Sequence, residues 1–327
     1  MESFGASEIK TPKGYQYKTG GKEEMIYTVT FNPALDYVMN LKELQYKDIN
    51  RTESEQLYYG GKGINVSAIL SRLGVDNIAL GFLAGFSGRQ IEEMLNAESI
   101  NNDFVYLKKG YTRINVKIKA DEDYDINAQG PDIEADEINA LFDKLEKLQS
   151  GDFLVLAGSI PNSLPNDIYE EILAKLQNKG INFAVDATGD LLLNVLKYKP
   201  FLIKPNHHEL GDIFGVEVKN EYEIAHYARK LQEMGARNVL VSRSKDGATL
   251  IDENGEVHSM GNVPGKVINP VGCGDSMVAG FVAGYSKTHD YKYALKLGSA
   301  CGNATAFCSG LADKATIDLM LKSEYLK

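Results

Sequence analysis

The stretch Ile268-Asn269-Pro270-Val271-Gly272-Cys273-Gly274-Asp275-Ser276 runs directly into Met277-Val278-Ala279-Gly280-Phe281-Val282-Ala283-Gly284. Two glycines one residue apart, Gly272 and Gly274, allow a tight bend that turns backbone N–H groups to one side. The apolar, small-residue run that Asp275 and Ser276 open reads as a helix. Its N-terminus would carry unpaired N–H groups and partial positive charge, so the loop is a ready anion site. A carboxylate fixed there can take a proton from a hydroxyl while the N–H groups hold a phosphoryl group in transit. A simple turn capped by Asp275 satisfies the same letters, and the remainder of the chain has to choose between the two.

Upstream of this loop, helices and apolar strands alternate. Helical patterns over 136–147, 166–179, 190–197 and 222–234 precede strand-like runs at 153–157, 182–186, 201–203 and 239–242. That rhythm predicts an α/β fold with a mostly parallel central sheet flanked by helices on both faces. Asn254-Gly255 lies between short runs at 249–251 and 257–259 and predicts an antiparallel hairpin added to the sheet. Two helices, over 293–308 and 317–321, close the chain.

Ligands of open α/β sheets collect at the carboxyl ends of strands. Three such ends are polar here: Gly158-Ser159-Ile160-Pro161, Asp186-Ala187-Thr188-Gly189 and Lys204-Pro205-Asn206-His207-His208-Glu209. The spacing of Asn206 and Glu209 suits a loop amide and a first-turn helix carboxylate near one Mg²⁺, reached through waters. His207 and His208 lack an H-E-x-x-H pattern and a nearby cysteine, so they read as solvated histidines rather than zinc ligands.

The N-terminal half begins with a strand over 25–31 that runs into Asn32-Pro33-Ala34-Leu35-Asp36. Read as a turn, this places Asp36 just past a strand end, where it is a candidate for holding sugar hydroxyls; an Asx turn fits the letters as well. Short strands follow over 37–59. Tyr59-Gly60-Gly61-Lys62-Gly63-Ile64-Asn65-Val66 is a second glycine-rich turn, feeding a helix over 67–73 that stops at Gly74. Neither glycine loop is a Walker A sequence, and Gly272-x-Gly274 lacks the third glycine of a dinucleotide fingerprint, since position 277 is Met. A second core strand covers 78–82, and a helix follows through Leu95. Residues 112–119 alternate cleanly and return through 124–128 as a hairpin. Its apolar side carries Ile114, Val116 and Ile118, and its polar side Arg113, Asn115 and Lys117. Such a half-wet hairpin predicts a separate small sheet, a lid, built from segments near 36–59 and 111–130. By itself Arg113 reads as a solvated strand residue.

At 327 residues, with 45 acidic against 35 basic residues and a net charge of −10, the chain lacks the basic face that non-specific nucleic-acid binding needs. Three cysteines, Cys273, Cys301 and Cys308, form no C-x-x-C pair and suggest reduced thiols in a cytoplasmic protein. No apolar run approaches the roughly 20 residues of a membrane span. Residues 1–24 are polar and charged, and read as a disordered tail or expression remnant outside a domain spanning 25–327.

With the two glycine loops, Asn-x-x-Glu and Gly-x-Gly-Asp in this order, the chain resembles the ribokinase-like sugar kinases, and more narrowly their phosphofructokinase B branch. The resemblance covers essentially all of 25–327. Thr-Arg-Ile-Asn-Val-Lys (112–117), Leu-Ala-Gly-Ser-Ile-Pro (156–161) and Lys-Pro-Asn-His-His-Glu-Leu-Gly (204–211) are most similar to members acting on fructose 1-phosphate. Asn-Pro-Val-Gly-x-Gly-Asp (269–275) also resembles members acting on tagatose 6-phosphate, and fructose 6-phosphate is a further alternative. A non-catalytic sugar-phosphate or nucleotide sensor on this fold is the rival from another class. The resemblance implies ATP and Mg²⁺, and a β-lid that pairs with a second subunit. It implies that Asp275 is the base and that the amides of Gly272, Cys273 and Gly274 form the anion hole. It further implies sugar contacts by Asp36, Gly61 and Asn65, with Ser159 beside them, and a grip on the existing phosphate by Lys62 and Arg113. Arg51 matches a lid arginine that reaches the partner's substrate. Lys204, Asn206, Glu209, Ser242, Gly247 and Asn303 match ATP or Mg²⁺ positions. Two departures stand out. Ser244 occupies a glycine position of the nucleotide loop, so its backbone is expected to avoid a glycine-only conformation. Cys273 replaces a small residue and is either simple filling or an oxidation-sensitive thiol.

Overall fold

The computed structural model describes residues 24–326. The expectation for the first 24 residues therefore lies, Glu24 apart, outside the described residues. The first strand, β1 (Ile26–Thr30), is followed by β2 (Ala34–Asn40), β3 (Ser54–Gly60), α1 (Lys62–Arg72), β4 (Asn77–Leu83), α2 (Gly85–Ala97), β5 (Val105–Tyr106), β6 (Arg113–Lys119) and β7 (Asp123–Ile126). The regular half contains α3 (Ala135–Leu145), β8 (Phe153–Ala157), α4 (Ile168–Leu176), β9 (Asn182–Asp186), α5 (Gly189–Val195), β10 (Leu202–Ile203), α6 (His207–Phe214), α7 (Glu221–Glu233) and β11 (Asn238–Ser242). It ends with the hairpin β12 (Ala248–Ile251) and β13 (Val257–Met260), then α8 (Cys273–Thr288), α9 (Tyr291–Ala306) and α10 (Lys314–Leu321).

Nine strands form the main sheet in the order β13-β12-β11-β10-β9-β8-β1-β4-β5. All neighbours pair in parallel except around β12, which is antiparallel to both β11 and β13. This is the mostly parallel sheet with an appended hairpin that the alternating pattern predicts. Both faces of its central strands are covered, so residues of opposite parity along β8 enter different cores. Leu154 and Leu156 pack on the side of α3 to α7, while Phe153 and Val155 pack on the side of α1, α8, α9 and α10. Every residue of β8 is buried, which explains its continuous apolar run. The glycines of α8 serve packing: a Cβ on Gly280 would lie 2.6 Å from the Leu297 carbonyl oxygen of α9.

The chain leaves β1 for β4 and β5 on one side, then returns to β8 on the other. The sheet's switch point therefore lies between β1 and β8, and a crevice opens at their carboxyl ends. The second sheet, in the order β3-β2-β6-β7, joins the first where β1 passes into β2 and β3 runs into α1. This is the separate small sheet expected from the hairpin. One local expectation fails: Asp36 is not in a turn but inside β2, opposite Tyr58 and Asn115. Pro33 ends β1 without ending extended structure, because the chain passes from one sheet to the other. The lid's facing is set by which side must stay polar. Asn115 is buried, whereas Ile114, Val116 and Ile118 on the apolar side are only partly covered.

Candidate active site

The site is built where the two glycine loops start helices. Gly272 caps α8 with φ 82°, in the left-handed region, and a Cβ there would come within 2.7 Å of Leu311 Cδ2. The first bond of the α8 ladder runs from Ser276 N to Gly272 O. The N–H groups of Cys273, Gly274 and Asp275 thus lie in the unpaired first turn. The second loop is more constrained still. Gly61 has φ 129°, and its Cβ would strike Thr30 Cγ2 at 2.6 Å. Thr30, the last residue of β1, accepts a hydrogen bond from Ile64 N at 2.9 Å and so caps α1. α1 begins at Lys62, five residues before the helix read from the sequence, and this places Lys62 and Asn65 on its first turns.

These two helix starts meet. Asn65 Nδ2 donates to Asp275 Oδ2 at 2.8 Å. Asp275 is buried, 5% exposed. Burial first, and the nearby Asp186 second, push its carboxyl up to about 6, against the lowering effect of Asn65, Lys62 and Lys204. Asp186, at the end of β9, is 3% exposed and pairs with two lysines, Lys62 Nζ at 3.4 Å and Lys204 Nζ at 3.4 Å. Burial pulls Lys62 down, but Asp186 and Asp275 outweigh it and hold its ammonium above the usual lysine value. Lys204 Nζ lies 3.1 Å from where a Cβ of Gly274 would sit, so its charge stands at the N-terminus of α8. Sequence reading noted the polar end at Asp186 but gave it no role. The signal available was a carboxylate closing the otherwise apolar buried strand Asn-Phe-Ala-Val-Asp.

The lid supplies a second polar cluster. Asp36 Oδ1 accepts from Asn115 Nδ2 at 2.8 Å, and Asp36 Oδ2 pairs with Lys117 Nζ at 3.1 Å. Gly60 lies against the same carboxylate, 3.2 Å from a Cβ built there. Lys117 and Asn115 were legible only as the polar side of a hairpin. Arg113 is half-buried and spends its guanidinium on backbone: Nη2 donates to Asn32 O at 2.9 Å and Nη1 to Ala128 O at 3.3 Å. Burial lowers its pKa, and Asp36 only partly compensates. The residue is therefore no solvated strand position. Lys62 Nζ is directed at Asp186, whereas the Arg113 guanidinium is held at the β1–β2 turn. Arg51 is exposed in the connection between β2 and β3, and Ser159 is exposed in the loop after β8.

Lys204, Asn206, Glu209 and Ser242 lie at or just beyond the ends of β10 and β11. Asn206 caps α6, its Oδ1 accepting from His208 N and Glu209 N at 2.9 Å each, while Glu209 Oε2 accepts from Asn206 N at 2.7 Å. This reciprocal capping box consumes the Asn206 oxygen. Of the expected metal pair, only Glu209 keeps an oxygen that could order a metal-bound water, and Asn206 fixes its orientation. Ser242 ends β11 and bridges to Asn206. Gly247 closes the following turn by accepting Arg243 N at 2.7 Å. Ser244 has φ 52°, a left-handed backbone that is open to non-glycine residues at a modest cost and so is not a glycine-only conformation. Asn303 is buried and turned inward, accepting from Val263 N at 2.9 Å and donating to Ser299 O at 2.7 Å. It anchors the segment leading to the anion loop. The Cys273 thiol is pushed up to about 11 by burial and by Asp275, which favours filling over the oxidation-sensitive role.

The large, mainly parallel sheet with a small separate sheet is a ribokinase-like fold. The family described as pfkB family carbohydrate kinase matches residues 29–317, and this chain belongs to it. The chain is 44% identical over 298 residues to a 1-phosphofructokinase of Bacillus subtilis strain 168, covering 91% of this chain and 97% of the relative. It is 38% identical over 295 residues to a D-tagatose-1-phosphate kinase of Bacillus licheniformis, covering 90% and 96%. Among solved structures it resembles phosphofructokinase-2 from Escherichia coli in complex with fructose-6-phosphate, with a TM-score of 0.84 and 25% identity, covering 91% of this chain and 98% of that one. The protein is thus a phosphotransferase acting on a carbohydrate. No helix among the described residues is long and apolar enough to cross a membrane.

Proposed function

We propose that this chain transfers the terminal phosphoryl group of ATP to the C6 hydroxyl of D-fructose 1-phosphate, giving D-fructose 1,6-bisphosphate and ADP. The observation that carries the reading is the hydrogen bond between Asn65 and Asp275 at the open N-terminus of α8. It is supported by the 44% identity to a 1-phosphofructokinase over nearly the whole chain.

In this reading Asp275 accepts the C6 hydroxyl proton as the oxygen attacks, while Asn65 fixes the carboxylate and leaves its other oxygen for the substrate. The amides of Cys273 and Gly274 and the bend at Gly272 receive the phosphoryl oxygens. Lys62 and Lys204, drawn together by Asp186, balance charge on the phosphoryl group in flight, so Lys62 serves the reacting end of the sugar. Asp36, held by Asn115 and Lys117, orients ring hydroxyls with the backbone at Gly61. The remote phosphate falls to Arg113, Ser159 and, from a partner, Arg51. Lys204, Ser242 and Gly247 border the nucleotide, with Asn206 and Asn303 as supports. Glu209 would hold Mg²⁺ through water, and the ion would supply neutralisation of phosphate charge. Such positioning and charge balance is most of what a loose phosphoryl transition state requires.

The lid also supports a homodimer. Across its register Tyr37 lies between Leu57 and Val116, Met39 is opposite Ile118, and Ile118 is opposite Tyr124, all on the side away from Asp36. Leu57 and Ile126 stand 45% and 60% exposed there. A second lid would bury this face and bring a partner's Arg51 to the sugar. Arg51→Ala should then weaken sugar-phosphate binding, and light scattering should show a dimer; a strict monomer contradicts this part. The free thiols fit a cytoplasmic setting.

A tagatose phosphate as acceptor is favoured by one specific observation, the 38% identity to a D-tagatose-1-phosphate kinase. An ADP-release assay over fructose 1-phosphate, fructose 6-phosphate, tagatose 1-phosphate and tagatose 6-phosphate separates these readings. The highest kcat/KM is expected for fructose 1-phosphate. A preference for either tagatose ester transfers the assignment to that sugar, and no turnover with any would mark a non-catalytic sensor.

A further inference from the structure

Asp186 is a buried carboxylate for which the mechanism above has no direct chemical task. Its two side-chain oxygens face two ammonium groups, Oδ2 towards Lys62 and Oδ1 towards Lys204. The three residues come from separate parts of the chain: Lys62 from the start of α1, Asp186 from the tip of β9, and Lys204 from just beyond β10. Lys204 is itself 7% exposed. A buried ammonium without a counter-ion is costly, so Asp186 is what allows Lys204 to remain at the N-terminus of α8.

We infer that Asp186 is the positioning residue of this site: by pairing with both ammonium groups it holds Lys62 and Lys204 beside the N-terminus of α8, where Asp275 lies. The inference rests on the reading of Asp275 as the base. The groups facing Asp275 can be named from every element around it. They are Lys62 and Asn65 on α1, Asp186 on β9, Lys204 after β10, and Cys273 on its own helix. Among these Asp186 alone opposes ionisation of Asp275 by a fixed like charge, and the two lysines favour it. Asp186 also partly neutralises those lysines, which reduces their pull on Asp275. Removing its charge acts twice in the same direction: it deletes the repulsion and frees both cations. The base then binds its proton less tightly and becomes weaker, and the lysines lose their fixed geometry. Asp186 neither forms nor breaks a bond with substrate in this account. It acts through Lys62, Lys204 and Asp275.

The test is the pH dependence of kcat with saturating ATP, Mg²⁺ and fructose 1-phosphate, for wild type, Asp186→Asn and Lys62→Met. Asp186→Asn should shift the acid limb towards lower pH by about one unit, a typical effect of one charge within this range, and lower the plateau about tenfold or more. Lys62→Met should shift the limb the other way, towards neutrality, because it removes a cation that favours the ionised base. Lys62 is 41% exposed, so this variant keeps the test available if Asp186→Asn does not fold. Opposite shifts cannot arise from a merely structural loss, which lowers the plateau and leaves the limb in place. Limbs that superimpose on wild type after scaling overturn the inference. Asp275→Asn is assayed alongside: its loss of turnover with unmoved limbs in the other variants refutes only the role of Asp186, while retained turnover refutes the base assignment itself.

Discussion

Asn65 Nδ2 lies 2.8 Å from Asp275 Oδ2, joining two helix starts that stand 210 residues apart in the chain. Each helix start is poor in side chains because a glycine precedes it, Gly61 before α1 and Gly272 before α8. The bond therefore ties the first turns of both helices, the buried Asp275 carboxylate and the lysine of the first loop together. Preorganised donors of this kind need no rearrangement when charge develops.

Asp275→Asn should lower kcat about 10²–10⁴-fold, the usual loss for a missing general base. The Asn65 bond can survive, since an amide oxygen accepts as a carboxylate does. ADP release with fructose 1-phosphate, beside direct binding of ATP and sugar phosphate, checks this: affinity stays near wild type while turnover collapses. Turnover within a few-fold of wild type removes Asp275 from the role.

The same substitution should raise thermal stability at pH 7.5. An unfolded aspartate titrates near 3.9, whereas burial and Asp186 push Asp275 up to about 6 in the folded chain. The folded state thus holds the proton more tightly. Its stability from this group is fully present below about pH 4, declines as pH rises through 6, and stays lost above. Asn removes that charge and should restore about 1–3 kcal/mol, read as a rise in Tm. An unchanged or lower Tm contradicts the direction of the shift.

Wild-type kcat should fall as pH drops through about 6, since protonated Asp275 cannot accept the hydroxyl proton. A kcat–pH profile measured with saturating substrates shows this as an acid limb near that value. A flat profile down to pH 4.5 would be incompatible with it.

Lys117→Met should raise the KM for fructose 1-phosphate several-fold with little change in kcat, because it frees Asp36 Oδ2 from its 3.1 Å ion pair and loosens the lid carboxylate. An equal loss in kcat and kcat/KM would instead place Lys117 in the transition state.

Gly61→Ala should destabilise the chain by about 1–3 kcal/mol or more, combining left-handed strain with overpacking. The new Cβ meets Thr30 Cγ2 at 2.6 Å, and Thr30 cannot retreat without releasing its bond to Ile64 N. Denaturant unfolding measures the loss, and wild-type stability would show that the loop relaxes freely.

Much of this protein was legible in its letters. The buried runs Phe153–Ala157 and Asn182–Asp186 appear as strands at the residues expected, because an apolar run of that length between capped helices has few other uses. The glycine loops marked both helix starts, and Asp275 could be placed in the first turn of a helix from letters local to nine residues. Local signals stop where pairing begins. Asp36 reads as a turn residue after Pro33, yet it lies in a strand, because only the pairing of β2 with β3 and β6 holds that segment extended. Asn206 and Glu209 read as a metal pair, yet the same Asn-x-x-Glu spacing is a local capping box that occupies Asn206 Oδ1 and Glu209 Oε2 at the start of α6. Ser244 shows the converse: the tight turn closed by Gly247 imposes a left-handed backbone that the residue type disfavours. Periodicity and capping are set by neighbours along the chain, so the sequence alone determined the elements and their order. Which charges share a buried volume depends on strands and helices distant in sequence. Only the tertiary structure could therefore decide that Lys62, Lys204 and Asp186 surround Asp275, and that the polar side of the lid hairpin faces inward.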